Sequence, residues 1–346
     1  MRPDLQAGIG AVAGLVPLTY AIVPCEVRQG PAGTDTRNYV VRDTEDRRWF
    51  VKVYRPGTDV TAEQRALEAS EFAGRAGVPV ARVQRTLSGG LVASRGGLSL
   101  SVSVYVEEAQ TAEGGLRGER WPVVGEVVGR LHRGLARHPA GSPRLVPAAQ
   151  VVDVSVARRR LHELIARYEA RPPRTGFAQW ALEAAHERLA ALPGLAAMLE
   201  ALPQQMTAQV VHGDLSTPNL LLRQGRVAAV IDFRPPGLRS PVWELGRLAS
   251  DPRTVLGDPS WPDGLARAVS AYRAANPTLS DADLRAVVRV AAGYLGCSVY
   301  PLAEPLDDPA AVSPSLEAYA YARHQTVAVL REHLEEAEEV LRDVLA

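Results

Sequence analysis

A short polar segment, VHGDLSTPN at residues 211–219, stands between apolar runs of the chain. It places Asp214 five residues before Asn219. A carboxylate can accept the proton of a hydroxyl group, and an amide oxygen can bind a divalent cation. At this spacing one end of a loop can face a hydroxyl while the other faces a metal-bound polyphosphate. The segment therefore predicts phosphoryl transfer to an alcohol, with Asp214 as base and Asn219 as a metal ligand.

A second carboxylate, Asp232, ends the apolar run VAAVID thirteen residues after Asn219. An acidic residue at the end of a buried strand is well placed to bind a Mg²⁺ ion that bridges phosphate groups. Each motif alone has an ordinary explanation, since HGD can be a turn and IDF a strand end. Together, in this order and spacing, they predict one base and two metal ligands.

Lys52 is the only lysine of the chain. Lysine and arginine total 39, so arginine supplies the other 38. A generic surface charge tolerates either residue, whereas a site that needs a compact ammonium group does not. Lys52 lies within WFVKVY at 49–54, a pattern typical of a strand. A lysine on such a strand in kinases pairs with nucleotide phosphates and is held by a glutamate of the next helix. We expect that glutamate to be Glu68, with Glu71 as the alternative.

The elements that must position these residues change character along the chain. The first part predicts strands and one helix, over 20–28, 38–42, 49–54, 61–76 (the helix), 90–93 and 98–106. The second part predicts helices interrupted by two short strands, over 122–138, 153–170, 177–201, 209–211 (strand), 227–231 (strand), 262–275, 280–300 and 314–345. We therefore expect an α+β, bilobal, protein-kinase-like fold with an antiparallel-sheet N-lobe at 1–107 and a mostly helical C-lobe at 108–346.

Length and charge narrow the class of protein. A chain of 346 residues is long enough for two lobes around one cleft. Its formal net charge is +0, which gives no overall attraction to nucleic acid. The N-terminal apolar stretch carries Asp4 where a signal peptide has basic residues, and Pro17 interrupts it. The two cysteines, Cys25 and Cys297, lie far apart in sequence. We expect a cytoplasmic protein that binds neither nucleic acid nor membrane.

Six segments in order, GTDTRNY, WFVKVY, EFAGRAGVPVARV, VVGRLHRGL, VVHGDLSTPNLLL and VAAVIDF, resemble the aminoglycoside phosphotransferase and small-molecule kinase family. The resemblance implies ATP as phosphoryl donor and Mg²⁺ as cofactor. It implies that backbone groups near Val106 and Glu107 bind adenine. It also implies that Gly33, Thr34 and Thr36 cover the phosphates, and that an acceptor pocket lies in the helical lobe.

The chain departs from the family pattern at three places. The nucleotide loop lacks Gly-x-Gly-x-x-Gly, so phosphate contacts there would depend on backbone amides and threonine hydroxyls. Trp243-Glu244-Leu245-Gly246 stands where the family commonly has Asp-Leu-Ala, and we expect Glu244 to brace the catalytic loop by hydrogen bonding. Arg234-Pro235-Pro236 replaces polar residues and changes the wall of the acceptor site.

The sequence leaves the acceptor open. An aminoglycoside, a sugar or an amino-alcohol is the first expectation, with Glu304, Asp307 and Asp308 as carboxylates for ammonium groups or simply a solvated turn. One alternative is a Ser or Thr hydroxyl of a ribosomal natural-product peptide, recognised with a pathway partner protein. Another is a catalytically inactive nucleotide-binding scaffold. His212 is expected to stabilise its own loop, and His132 to pack inside a helix face.

Overall fold

The computed structural model describes residues 3–31, 33, 36–173 and 175–346. Its N-lobe is a helix followed by an antiparallel sheet with a second helix inserted. The N-lobe elements are α1 (Pro3–Tyr20), β1 (Pro24–Gln29), β2 (Thr36–Asp43), β3 (Arg48–Tyr54), α2 (Val60–Arg75), β4 (Val83–Gln84), β5 (Val92–Arg95) and β6 (Leu98–Val104). The strands run in the order β1-β2-β3-β6-β4, and β5 also pairs with β6.

The central strand β3 separates the N-lobe core from the cleft. Trp49, Val51 and Val53 are buried in one cluster with the apolar face of α1. Successive side chains of a strand point to opposite faces. Lys52 therefore lies on the face away from α1, where it pairs in register with Asn38 of β2.

Helix α1 forms part of the N-lobe core. Its residues Val12 and Val16 are fully buried. The Tyr20 hydroxyl lies 3.1 Å from the carbonyl oxygens of both Leu91 and Leu100. The first strand was predicted to begin at residue 20, but Tyr20 ends helix α1 and the strand begins only at Pro24.

The C-lobe is mostly helical, with two three-stranded sheets. Its elements are β7 (Gln110–Thr111), α3 (Arg120–Leu135), β8 (Arg144–Pro147), α4 (Val154–Ala170), α5 (Gly176–Leu199), β9 (Gln205–Val210), β10 (Leu220–Arg223), β11 (Arg226–Val230), β12 (Leu238–Arg239), α6 (Pro241–Ala249), α7 (Pro252–Val255), α8 (Trp261–Ala275), α9 (Asp281–Arg285), α10 (Val287–Cys297), α11 (Glu304–Asp307), α12 (Pro314–Glu332) and α13 (Leu334–Val344). The sheets have the orders β11-β10-β7 and β12-β9-β8.

The C-lobe core is closely packed around α3 and α8. A Cβ atom on Gly125 of α3 would lie 2.1 Å from the carbonyl oxygen of Ala268 on α8, so the two backbones meet where only glycine fits. The predicted helix 280–300 is in fact two helices, because Ala286 separates α9 from α10. No helix in the described part of the chain is both long and apolar enough to cross a membrane.

The two lobes meet behind the cleft. Val80, which follows α2, forms a parallel bridge with Val230 at the end of β11. The Val230 N–H donates to the Pro79 carbonyl at 2.8 Å. Ala69 and Ala73 of α2 are buried in the same cluster as the C-lobe helices. The strand that leads to Asp232 is thereby fixed against the N-lobe, and the bilobal α+β architecture predicted from the sequence is confirmed.

Candidate active site

The loop between β9 and β10 carries Asp214 and Asn219. A 3₁₀ turn at Thr217–Asn219 ends this loop. The Asn219 side-chain amide donates to the Asp214 carbonyl at 2.8 Å, and the Thr217 hydroxyl donates to Asp251 at 2.8 Å. Leu215 is fully buried between them. These contacts therefore hold the loop, with its polar side chains, in one defined conformation.

Glu244 of α6 holds the start of this loop. Its carboxylate accepts from the backbone N–H of His212 at 3.0 Å and of Gly213 at 2.5 Å. It also lies 3.1 Å from His132 Nε2. Glu244 is fully buried, which acts to raise its pKa, but the hydrogen bonds from His132 and Gly213 outweigh burial and lower the pKa. The predicted bracing role of Glu244 is confirmed.

Two buried histidines near Glu244, His212 and His132, form hydrogen bonds with neighbouring groups. His212 Nδ1 accepts from the Asp214 N–H at 3.2 Å, so Nε2 carries the proton that is donated to the Ile231 carbonyl at 2.8 Å. Burial lowers the pKa of His212, consistent with this neutral ring. The expected role of His212 within its own loop is confirmed. His132 joins Glu244 to the Tyr272 hydroxyl, 2.9 Å from its Nδ1, and so does more than pack.

Lys52 and Asp232 meet across the cleft. The Lys52 ammonium contacts Asp232 Oδ1, with side-chain exposures of 28% and 40%. Asp232 has φ 63°, a left-handed conformation uncommon for a residue other than glycine and typical of functional positions. Burial lowers the pKa of Lys52 to about 8. A lysine with a lowered pKa that faces a carboxylate in a cleft marks a candidate site.

The expected pairing of Lys52 with Glu68 is not formed. Glu68 is exposed and accepts from Gln64 at 3.2 Å, while Glu71 forms a salt bridge with Arg85. The α2 carboxylate that raises the pKa of Lys52 is Glu63, in the first turn of the helix. The position of a helix along a strand is set by tertiary packing, which a local sequence pattern does not show.

Two arginines contact the Asp214 carboxylate, and the sequence interpretation assigned neither to it. Arg247 Nη1 lies 2.6 Å from Asp214 Oδ1, and Arg234 Nη2 lies 3.4 Å from Oδ2. Arg247 follows Glu244 by three residues on α6, a spacing that places both on one helix face. This spacing in the sequence could have identified Arg247 as a second residue facing the loop. Arg234 had been noted only as part of an altered acceptor wall.

The loop between β1 and β2 contains the residues that were expected to cover the phosphates. Thr34 lies outside the described residues. A Cβ on Gly33 would lie 2.6 Å from the Thr36 hydroxyl, so this turn is tight. The Thr36 hydroxyl itself donates to Asn38 Oδ1 at 2.8 Å, and the Asn38 amide donates to the Pro31 carbonyl at 3.0 Å. Thr36 therefore stabilises the loop from within, and its hydroxyl proton is already used.

The segment between the lobes contains Val106 and Glu107. The Glu107 carboxylate pairs with Arg48 of β3, and its carbonyl accepts from Arg223 of β10 at 3.4 Å. Glu107 thus connects both lobes. Val106 lies directly before the turn at 107–108 that leads from β6 to β7.

Asn219 and Asp232 fit a magnesium ion. They offer an amide and a carboxylate oxygen, the hard ligands that Mg²⁺ prefers. The Asn219 amide nitrogen is already used by the Asp214 carbonyl, so the oxygen end is the one left for a cation. Among the described residues no group of three His, Cys, Asp or Glu side chains could hold a metal. Phosphate and water would complete the coordination, as is usual for Mg²⁺ with nucleotides.

Comparison with solved structures shows the fold. Spectinomycin phosphotransferase in complex with ADP and spectinomycin superposes with a TM-score of 0.62 at 14% identity, covering 93% of this chain and 97% of that one. Amicoumacin kinase in complex with AMP-PNP, Ca²⁺ and Ami gives a TM-score of 0.62 at 17% identity, covering 95% of this chain and 96% of that one. An aminoglycoside phosphotransferase from Alicyclobacillus acidocaldarius gives 0.53 at 18%, covering 92% and 96%. Comparison with curated proteins gives no match.

A sequence profile shows the family. The profile of the APH phosphotransferase enzyme family matches residues 26–278. The match begins in β1 and ends after α8, so it includes Lys52, the catalytic loop, Asp232 and α6. This chain belongs to the phosphotransferase enzyme family.

Proposed function

We propose that this protein transfers the γ-phosphoryl group of ATP to a hydroxyl group of a small molecule. The observation that carries the proposal is the contact of Lys52 with Asp232 across the cleft, next to a loop that holds Asp214 and Asn219. Solved structures of the same fold contain ADP or AMP-PNP together with small-molecule acceptors, which supports nucleotide and acceptor of these classes here.

Asp214 is the group proposed to act on the acceptor. Its carboxylate, 28% exposed, is oriented by Arg247 and Arg234. A hydroxyl hydrogen-bonded to this carboxylate would be aligned for attack on the γ-phosphorus and would give up its proton as the new P–O bond forms. Alignment and charge neutralisation supply most of the rate enhancement in such reactions.

The nucleotide would occupy the cleft between the lobes. Lys52 would bind the α- and β-phosphates, and backbone groups at Val106 and Glu107 would bind the adenine edge. Asn219 and Asp232 would hold Mg²⁺, which neutralises phosphate charge when bound. Gly33 would allow the β1–β2 turn to approach the phosphates closely.

An acceptor with many ammonium groups, as in an aminoglycoside, would need free carboxylates. The acidic segment at α11 offers Glu304, Asp307 and Asp308. Asp307 forms a 2.5 Å salt bridge with Arg167 of α4, and Asp308 is exposed. This supports a solvated turn and favours the sugar and amino-alcohol classes over a polycation.

The test is the variant Asp214→Asn. We expect it to bind AMP-PNP with Mg²⁺ nearly as wild type does, while ADP formation falls by about 10²- to 10⁴-fold. Binding is measured by calorimetry and turnover by ADP release with a panel of hydroxyl compounds. An inactive scaffold would show the same ADP release in wild type and variant. Retained turnover in the variant would remove Asp214 from the mechanism.

A further inference from the structure

One buried guanidinium near the catalytic carboxylate has unused donors. Arg323 of α12 is 4% exposed. Its Nη1 donates to the Tyr319 hydroxyl at 3.5 Å, whereas Nε and Nη2 have no hydrogen-bond partner within the described part of the chain. A buried charged donor without a partner is costly, so such a group indicates a missing ligand.

Aromatic rings connect Arg323 to the catalytic loop. The Arg323 Cζ lies 5.1 Å from the ring centroid of Tyr294 and 5.9 Å from that of Tyr300. Tyr294 packs edge-on against Trp243 at 5.6 Å, and Arg247 lies 5.7 Å from the Trp243 ring. Arg247 in turn holds the catalytic carboxylate. These ring contacts leave the Nε and Nη2 donors of Arg323 without a hydrogen-bond partner among the described residues.

The surroundings of Arg323 are cationic. Burial acts to raise the pKa of Tyr294, but the positive charges of Arg323 and Arg247, together with a hydrogen bond from Arg323, outweigh burial and lower it. Arg188 of α5 is also 4% exposed, and its Nε and Nη2 likewise lack a described partner. Burial and repulsion from Arg323 lower the pKa of Arg188 to about 10. Two buried guanidinium groups thus repel each other here.

The carboxylates near this region are few, and most are already paired. Asp214 is shared between Arg247 and Arg234. Glu187 pairs with His324 at 3.0 Å. Burial raises the pKa of the Glu304 carboxylate, and the negative charges of Asp307 and Asp308 add to this shift.

We propose that the acceptor carries an oxyanion group, a carboxylate or a phosphate, which Arg323 binds while the acceptor hydroxyl meets Asp214. The planar guanidinium fork matches two oxygens of such a group. This inference rests on the proposed function and narrows its substrate class. In the reaction the hydroxyl oxygen bonds to the γ-phosphorus and the bond to the bridging oxygen of ADP breaks. The hydroxyl proton passes to Asp214 and then to water, giving ADP and an anionic phosphate monoester.

The test uses pairs of candidate acceptors that differ mainly in charge. Gluconate is compared with sorbitol, glycerate with glycerol, and glucose 6-phosphate with glucose, and glucosamine serves as a cationic control. Each is added to the full chain with MgADP, and binding is measured by thermal shift at constant ionic strength. Turnover is measured with MgATP. In at least one pair we expect the anionic compound to bind and to be phosphorylated, and its neutral partner to do neither. Gluconate and glycerate test a carboxylate, whereas glucose 6-phosphate tests a phosphate.

Substitutions of Arg323 test whether this residue binds the anionic group of the acceptor. Arg323→Met should raise the KM or Kd of the anionic acceptor by about 10- to 100-fold and leave AMP-PNP affinity unchanged. Arg323→Lys should restore part of the loss, because the charge returns without the planar fork. Arg331→Gln, at an exposed position two turns further along α12, is the matched control and should have no effect.

The outcomes separate the two proposals. If no anionic compound binds more tightly than its neutral partner, or if only glucosamine is phosphorylated, the oxyanion proposal is wrong and the phosphotransferase proposal stands. If Arg323→Met binds the anion as wild type does, Arg323 is not its receptor. If MgATP does not bind and wild type shows no ADP release dependent on Asp214, the proposed function itself fails.

Discussion

Lys52 has an unusual chemical setting for a lysine. Its amine lies in a partly enclosed cleft and contacts Asp232, and burial lowers its pKa to about 8. Glu63 acts against this shift and Arg234 adds to it. A triphosphate would favour the ammonium form and so raise the pKa again. The protonation state of this one side chain therefore reports on occupancy of the nucleotide site.

Because Lys52 is the only lysine of the chain, its protonation can be measured by chemical modification. Acetylation by an amine-selective reagent should increase as pH rises through about 8, because only the neutral amine reacts and its fraction grows above the pKa. AMP-PNP with Mg²⁺ should protect Lys52. Modification is followed by peptide mass spectrometry, which separates Lys52 from the terminal amine, and Lys52→Arg is the control. A midpoint near the ordinary value for lysine would show that the cleft does not lower the pKa.

The individual site residues differ in how far the sequence could predict them. Lys52 and Asp232 stand within short local patterns, and the structure brings them into contact. The partners of Lys52 and Asp214 depend on how separate elements pack. Arg247 was missed because its helix, α6, was not predicted from the sequence.

At the scale of elements, α6 determines the shape of the catalytic loop. It places Glu244 below the loop and Arg247 beside Asp214. Gly213 has φ 90°, and a Cβ there would lie 2.7 Å from the Arg234 Cβ, so only glycine suits this position. Glu244 thus holds the loop from below, and Arg234 packs closely against it at Gly213.

Glu244→Gln should destabilise the protein. The amide can replace one carboxylate oxygen, but its NH₂ group would then face a backbone N–H of His212 or Gly213, leaving a buried donor without an acceptor. We expect a loss of about 1–3 kcal/mol in the free energy of unfolding, measured by urea denaturation. Glu126→Gln on the exposed side of α3 is the control and should change stability by less than about 1 kcal/mol. Equal stability of both variants would mean that Glu244 does not brace the loop.

The order and type of the long elements could be predicted because their periodic patterns are strong. The helices α2, α3, α4, α5 and α8 lie close to their predicted positions. Short elements were missed: β8, β12 and α6 are two to nine residues long. Such segments carry too few residues for a period to show, and they form because neighbouring strands and helices supply their partners.

At the scale of the whole molecule, the two lobes are joined on both sides of the cleft. Behind it, α2 is buried with the C-lobe core and Val80 bridges to Val230. Between the lobes, Glu107 contacts Arg48 and Arg223. Within the cleft, the Lys52–Asp232 pair completes the connection. In the proposed reaction a bound nucleotide would separate Lys52 from Asp232, since Lys52 would bind the phosphates and Asp232 the metal.

Asp232→Asn should therefore separate metal binding from nucleotide binding. A nucleotide at 100 times its dissociation constant should add about 2.7 kcal/mol to the free energy of unfolding. For wild type we expect AMP-PNP to stabilise much more with Mg²⁺ than with EDTA, as measured by thermal denaturation. In Asp232→Asn the increment due to Mg²⁺ should disappear, while the part due to Lys52 and the segment at Val106 should remain. Asp263→Asn, an exposed change on α8, should behave as wild type. If the Mg²⁺ increment persists in Asp232→Asn, another oxygen ligand holds the metal, and the Lys52–Asp232 pair only closes the cleft.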